Sequence, residues 1–336
     1  MRGDVASARE VVVGLDIGGT KVHGVLLVDG AVVAEDRFAV RHGADGVVAT
    51  ATLAVDALAG RLAALVPGAE VGAVGVGVPG LVLPGAGTVA HAVNLGIVEP
   101  EPLGARLAGA LGVPVTVEND LNVAALGAAH VLGLEGDLAF LALGTGVAAG
   151  LLLDGRLRRG HRGAAGEVGH VPYAADGPRC ACGQVGCLEL YASGSAIDAA
   201  WPSPDGVPAP AHLFRAAAAG DVDAVRVRDR FADAVATAVQ TLTLTVDVEH
   251  VVLGGGVSEV GEPLLVAVRR ALGRREAASS FLATLGLADR VRLAPPGARV
   301  APVGAALAAL VGRDAGRGPG HAAGPLPARP TTATVA

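Results

Sequence analysis

One local pattern occurs twice in this chain, and it limits the possible folds more than any other feature. An apolar, β-branched run at 11–15 ends in Asp16 and a Gly-Gly turn, a second strand follows over 22–28, and Asp29-Gly30 turns the chain into a third strand over 31–40. The same order returns with 138–143, the Gly144-Thr145-Gly146 turn, a strand over 147–153 and Asp154-Gly155. Asp-Gly is a strong signal for a tight hairpin, because both turn residues tolerate positive φ. The repetition is one of pattern, not of residues. It predicts two related α/β domains facing each other across a cleft, with the boundary near 114–120.

Other segments fill in these two halves. Helical spacing appears at 45–65, 102–111, 121–132, 211–219, 221–246, 263–272 and 303–310, and buried strands at 71–78, 113–117 and 251–253. A Gly- and Cys-rich loop region occupies 156–189. The stretch 312–336 is rich in Gly, Pro and Ala, has almost no large apolar residues and is expected to be a disordered tail. The length of 336 residues suits two domains of ordinary size.

Composition excludes some partners. Aromatic residues make up 2% of the chain, too few for extensive base stacking, and a formal charge of −6 leaves no basic footprint for nucleic acid. Met1-Arg2-Gly3-Asp4 reaches an acidic residue at once, unlike an export signal, and no apolar run approaches the length of a membrane span. An odd cysteine count argues against a closed disulfide framework. A cytoplasmic protein with neither nucleic-acid nor membrane partners is expected.

Three glycine turns offer phosphate or nucleotide contacts. In Asp16-Ile17-Gly18-Gly19-Thr20-Lys21, small residues let the backbone approach an anion, while Thr20 and Lys21 can hydrogen-bond phosphate oxygens. Lys21 is the only lysine in the chain. Asp16 is placed to hold hydrated Mg²⁺ beside the same phosphates. Gly144-Thr145-Gly146 is a second such turn, and Gly254-Gly255-Gly256 a third, suited to a flat base or ribose. A single glycine turn is usually only a tight turn. Three of them after apolar strands, one carrying Asp and Lys, point to a nucleotide.

Two further groups carry chemistry. Asp120, between a short strand and a helix, can cap that helix, and the same placement suits a base that accepts a proton from a sugar hydroxyl while Asn119 orients the sugar. The only three cysteines, Cys180, Cys182 and Cys187, lie within eight residues and form with His170 a full set of four N/S ligands, the closed arrangement of a structural zinc. Glu167 and Glu189 flank this loop, and a carboxylate accepts two hydroxyl hydrogen bonds from a sugar.

These motifs, in this order, resemble the ROK family of repressors, open reading frames and sugar kinases. The matching pieces are Asp16 to Lys21, Gly75-Val76-Gly77-Val78-Pro79-Gly80, Glu118-Asn119-Asp120-Leu121-Asn122, Leu143-Gly144-Thr145-Gly146, Gly166-Glu167-Val168-Gly169-His170, Cys180 to Glu189 and Gly254-Gly255-Gly256-Val257. The resemblance implies an actin-like ATPase (ribonuclease H-like) fold of two α/β domains. An N-terminal domain of 1–117 would be rejoined by a helix at about 301–311, and 118–300 would form the C-terminal domain with the zinc loop. It also implies ATP-dependent phosphorylation of a hexose, with ATP, Mg²⁺ and a structural Zn²⁺. Carried over by motif, Gly80, Asn94, Asn119, Asp120, Glu167, His170 and Glu189 contact the sugar, Asp120 acting as base, and His170 with the three cysteines binds zinc. A homodimer or homotetramer is the assembly expected.

Glucose is the first substrate, to give glucose 6-phosphate. N-acetylmannosamine, mannose, fructose and kanosamine are alternatives, because Ile97 stands where many glucokinases of the family carry tryptophan. Ala148 replaces a usual glycine in the second phosphate segment. A sugar-responsive regulator is the competing class, but only about fifteen residues precede the first phosphate motif, too few for a helix-turn-helix module.

Overall fold

A computed structural model describes residues 9–83, 87–204 and 206–315. The described residues form two compact units, 9–133 with 299–315, and Leu134–Ala298.

The first unit begins with β1 (Val11–Ile17), β2 (Lys21–Val28) and β3 (Ala31–Ala39), an antiparallel meander. Asp29 and Gly30 have φ of 50° and 78°, as the Asp-Gly signal requires. Then come α1 (Ala44–Leu65), β4 (Ala73–Val78), a small hairpin of β5 (Leu81–Leu83) and β6 (Thr88–Ala90), α2 (Leu103–Leu111), β7 (Val115–Asn119) and α3 (Asp120–Leu132). The sheet order is β3-β2-β1-β4-β7, with β1, β4 and β7 parallel. Strand alternation divides the core between the two faces. Val11, Val13 and Leu15 pack with Val47, Ala51, Leu58 and Leu62 of α1, whereas Val12 belongs to the opposite face.

The expectation that no stretch approaches membrane-span length is corrected by α1. This 22-residue helix is long and apolar enough by length and composition. Its apolar side is committed to the core of the first unit, as in an ordinary core helix.

The second unit repeats the arrangement. β8 (Leu138–Leu143), β9 (Val147–Leu153) and β10 (Arg156–Leu157) are antiparallel, and Asp154-Gly155 turns with φ of 52° and 68°. Helices α4 (Glu189–Ala192), α5 (Gly194–Ala200), α6 (Ala209–Ala218) and α7 (Val222–Val246) lead to β11 (His250–Gly254), followed by α8 (Glu262–Ala278), α9 (Ser280–Leu285), α10 (Leu287–Arg290) and β12 (Val291–Leu293). The order is β10-β9-β8-β11-β12, again three antiparallel strands followed by parallel additions. Asp221 caps α7, accepting from the Asp223 and Ala224 amides at 3.0 and 2.9 Å.

The last helix, α11 (Val300–Ala315), belongs to the first unit. It lies almost on bare backbone. Gly14 of β1 and Gly75 of β4 are paired in register, and a Cβ on either would come within 1.9 Å of Pro302 O or 1.7 Å of Ala305 O. Gly127 of α3 and Gly304 of α11 meet in the same way, a Cβ on each lying 1.7 Å from a carbonyl oxygen of the other helix. This packing carries α3 into the first unit, so the division falls at Gly133–Leu134, past the 114–120 of the sequence reading. Residues 312–315 continue α11, and the rest of the expected tail, 316–336, lies outside the described residues.

A side chain at position 304 therefore has no room. Gly304→Ala is expected to lower stability by more than about 3 kcal/mol, the upper range for a single overpacking change, or to prevent folding. Gly109→Ala, in α2 with nothing within 4 Å of the new methyl, is expected to be neutral or to gain up to about 1 kcal/mol. Urea unfolding of both variants tests this; wild-type stability in Gly304→Ala would contradict the seating of α11.

Candidate active site and metal centre

In open sheets of this kind, ligands bind beyond the carboxyl ends of the parallel strands. In the first unit those ends present Asp16 on β1, Gly80 just after β4, and Asn119 and Asp120 at the junction of β7 and α3. Asp16 pairs in register with Gly77, and Gly77 with Glu118, which aligns the three strand ends.

The cap of α3 differs from the sequence reading. Asn119, not Asp120, is the N-cap. Its backbone is extended (φ −64°, ψ 143°), and its side-chain oxygen accepts from the Leu121 and Asn122 amides at 2.9 and 3.3 Å. Its amide nitrogen donates to Gly80 O at 3.1 Å, which fixes the amide orientation and ties two predicted site residues together. Asp120 is the first helical residue, its Oδ1 2.9 Å from the Leu121 amide. Glu118, to which the sequence reading gave no role, is buried beneath them. It accepts from the Asn119 backbone and from the Asn122 side chain, both at 2.9 Å. Its place in the Glu-Asn-Asp-x-Asn segment was the one available signal, because Glu118 stands near the end of a strand and Asn122 near the start of a helix, so no period within one element relates them.

The first phosphate turn is closed by Gly18 N–H donating to Lys21 O at 3.0 Å. Asn94, in a 3₁₀ turn over Val93–Leu95, lies against Gly19, where a Cβ would be 3.1 Å from its Cβ. Asp16 reaches the surface only in part. Burial pushes its pKa up to about 7, the Asp120 carboxylate adds to the rise, and Lys21 opposes it. Two carboxylates thus share one corner of the sheet with one ammonium.

In the second unit the strand ends carry glycine turns. Gly144 N–H donates to Gly146 O at 3.0 Å, and a Cβ on Gly255 would lie 2.6 Å from Leu143 O, so the turns at 144–146 and 254–256 are neighbours. Buried Ser258 closes the latter by donating its hydroxyl to Gly255 O at 2.7 Å. Ala148 pairs with Ala142 across β8 and β9.

The candidate metal ligands converge. Donor atoms of His170, Cys180, Cys182 and Cys187 all lie within 4.8 Å of one another. Cys182 and Cys187 sulfurs are 3.6 Å apart, and Cys180 Sγ is 3.9 Å from His170 Nδ1. A tetrahedral zinc with Zn–S near 2.3 Å spaces its sulfurs about 3.8 Å apart, so the donor set and its size both fit. The imidazole turns Nδ1 to the thiols, leaving Nε2 for another partner. A tight knuckle shapes the loop, with Cys180 N–H donating to Gln184 O at 2.8 Å and Gly183 N–H to Cys180 O at 2.9 Å. The Gln184 backbone amide is the main cause that lowers the Cys182 thiol to about 7, toward the thiolate a metal binds.

Glu189 joins the two features. One oxygen lies 3.2 Å from Cys180 Sγ and 3.6 Å from His170 Nδ1, and the other is 2.8 Å from where a Cβ on Gly146 would be. Glu167, at the start of the Val168–His170 turn, is exposed, with no side-chain hydrogen bond to these groups among the described residues.

Two measurements follow from this geometry. Purified protein is expected to hold about one zinc per chain by elemental analysis, and Cys182→Ala to lose it and melt earlier. Cys182 is exposed, so its truncation leaves no cavity and any loss of stability reports the metal. A metal-free wild type with freely titrating thiols would contradict the cluster. The second concerns Asp16. Its folded pKa lies above the unfolded value, so ionisation opposes folding increasingly as pH rises from about 4 to 7, and fully above that. Asp16→Asn is expected to raise Tm by an amount that grows over this window and levels off above it. A gain independent of pH would show that the Asp16 charge is not the cause.

Comparison with known proteins places the chain. Residues 12–308 match the ROK family. A glucokinase of Streptomyces coelicolor is 33% identical over 284 residues, covering 78% of this chain and 87% of the relative. An N-acetylmannosamine kinase of Citrobacter koseri is 33% identical over 266 residues, covering 78% and 89%. A ROK glucokinase from Streptomyces griseus, solved with glucose and AMPPNP, superposes with a TM-score of 0.71 at 32% identity, covering 89% of this chain. The actin-like, ribonuclease H-like fold accompanies these matches, and both five-stranded sheets of this protein conform to it. The chain belongs to the ROK family.

Proposed function

We propose that this protein transfers the γ-phosphate of ATP to a hydroxyl of a hexose, with the glucose 6-hydroxyl first and N-acetylmannosamine second. At the coarser level it is a ROK-family, ATP-dependent kinase of hexoses or amino-hexoses. One observation carries the reading. Burial first and then the neighbouring Asp120 carboxylate raise the cost of ionising Asp16 at one set of strand ends, beside a glycine turn and the only lysine. Such paired carboxylates mark a place built for a cation and a proton acceptor.

Phosphoryl transfer depends on positioning and on charge stabilisation. The turn from Asp16 to Lys21 is assigned to phosphate, with Gly18 and Gly19 giving backbone access and Thr20 and Lys21 donating. Gly144, Thr145 and Gly146 and the turn at Gly254, Gly255 and Gly256 are assigned to the nucleotide. Asp16 would hold Mg²⁺, which when bound neutralises phosphate charge. Asp120 is the base: held in the first turn of α3, its carboxylate accepts the proton of the attacking hydroxyl.

The sugar contacts assigned are Gly80, Asn94, Asn119, Asp120, Glu167, His170 and Glu189. The capping bonds of Asn119 use its oxygen and one N–H, so only the second N–H is left for a sugar oxygen. His170 would offer Nε2, and a metal on Nδ1 would fix that ring. Glucose leads because glucokinases recur among the relatives. N-acetylmannosamine stays close because kinases of that sugar are equally similar, and because Ile97 is buried in the core of the first unit.

The test pairs two measurements on Asp120→Asn. Asn119 provides the cap, so the fold should persist. Turnover is expected to fall about 10²–10⁴-fold, the usual contribution of a general base, while sugar affinity changes far less. Near wild-type turnover would remove Asp120 from the chemistry. ADP release across a panel of hexoses and amino-hexoses ranks the sugars.

A further inference from the structure

The first phosphate turn has a weakness built into it. Two consecutive glycines let the backbone approach an anion, but they also let the peptide between Gly19 and Thr20 rotate, because glycine at one end removes the steric barrier. A turn that binds phosphate through N–H groups must hold those groups on one side before the ligand arrives.

The connection from β3 to α1 supplies what the glycines lack. Val40 N–H donates to Thr20 O at 3.2 Å, and His42 Nε2 lies 2.9 Å from Gly19 O. A carbonyl only accepts, so Nε2 carries the proton in this contact. The next residue continues the strap, as Gly43 N–H donates to Leu95 O at 2.7 Å. That bond ties the strap to the turn carrying Asn94, which itself lies against Gly19. Peptide units are planar and trans, so the carbonyl of one residue and the N–H of the next point in opposite directions. Holding Gly19 O toward His42 therefore aims the Thr20 N–H away from the strap. Holding Thr20 O toward Val40 does the same for the Lys21 N–H.

We propose that His42 is a positioning residue for the nucleotide: its ring locks the Gly19–Thr20 peptide so that the Thr20 N–H is presented to a phosphate, and the strap 40–43 keeps Asn94 in step with that turn. His42 touches no reacting atom. It is exposed, so its contribution to stability is small and its contribution to binding separable. This inference rests on the assignment of Asp16 to Lys21 to phosphate, and the experiment separates the two.

Three proteins are compared: wild type, His42→Ala and His42→Gln. The Gln amide nitrogen can reach where Nε2 stands and restore the donor. Titration with ADP and with AMPPNP, steady-state KM for ATP and thermal melting are measured on each. His42→Ala is expected to bind both nucleotides about three- to tenfold more weakly, the range for one lost hydrogen bond, and to show a matching rise in KM for ATP. Its Tm should stay within about 2 °C of wild type, since the ring is at the surface. His42→Gln is expected to stay within about twofold of wild type. If both variants bind as wild type does, or both weaken equally, the clamp is wrong while the phosphate assignment stands. If wild type binds neither nucleotide, the phosphate assignment falls, and this inference falls with it.

Discussion

The first unit depends on a helix lying directly on glycine backbone. α11 reaches β1 at Gly14, β4 at Gly75 and α3 at Gly127, with its own Gly304 against Val123 O. The carboxyl ends of β1 and β4 and the start of α3 carry Asp16, Gly80 and Asp120. One helix thus sets the relative positions of three site segments that are far apart in sequence. Glycine costs roughly 0.5–1 kcal/mol against alanine in regular structure, and close packing of α11 offsets that cost. A methyl group at any of these contacts would act as a wedge on elements that carry the candidate chemistry. Packing and function are therefore joined through backbone distance, not through side-chain volume.

The electrostatics of those strand ends run against stability. Asp16 is pushed up to about 7 by burial first and then by Asp120, and Lys21 relieves only part of the strain. A protein selected only for stability would lose one of the two carboxylates. A cation bound at these strand ends would reverse part of that penalty, because positive charge favours the ionised carboxylates. The same logic explains buried Glu118. It organises the peptide at Asn119 and the side chain of Asn122, so the carboxylate next in line is presented from a rigid helix start.

Much of this was legible in the sequence, for identifiable reasons. Both Asp-Gly hairpins and the strands around them carry strong local signals, because turn chemistry and β-branched runs act over a few residues. The convergence of His170 with three cysteines follows from ligand type. Other features were out of reach. The β5–β6 hairpin and helices α4, α5, α9 and α10 are too short to show a period. α8 runs to Ala278, past the expected 272, because Arg275 bonds across to Gln240, Asp233 O and Thr237 of α7. The cap of α3 lay between two adjacent polar residues, and only backbone geometry assigns it to Asn119. His42 carries no motif at all. Its contact with Gly19 comes from a strap twenty-three residues away in the chain.

The loop from β10 to α4 shows why a metal belongs where no open coordination position is needed. Its described elements are one short 3₁₀ turn and isolated bridges, and its glycines press on carbonyls where a side chain would collide: Gly166 on Ala149 O, Gly169 on Val147 O, Gly186 on Ala174 O. Backbone contacts of that kind give shape but little apolar burial, so the loop lacks the usual source of stability. Four N/S ligands, one near its middle and three toward its C-terminal end, would supply the missing cross-link, as in small domains that fold around zinc. Glu189 then inherits its position. It sits against Cys180 on one side and Gly146 on the other, so the thiols that would hold the metal also set the orientation of a carboxylate beside the second glycine turn. A side chain placed this way takes its orientation from the same thiols that a metal would hold, so loss of the metal would be felt beside the second glycine turn.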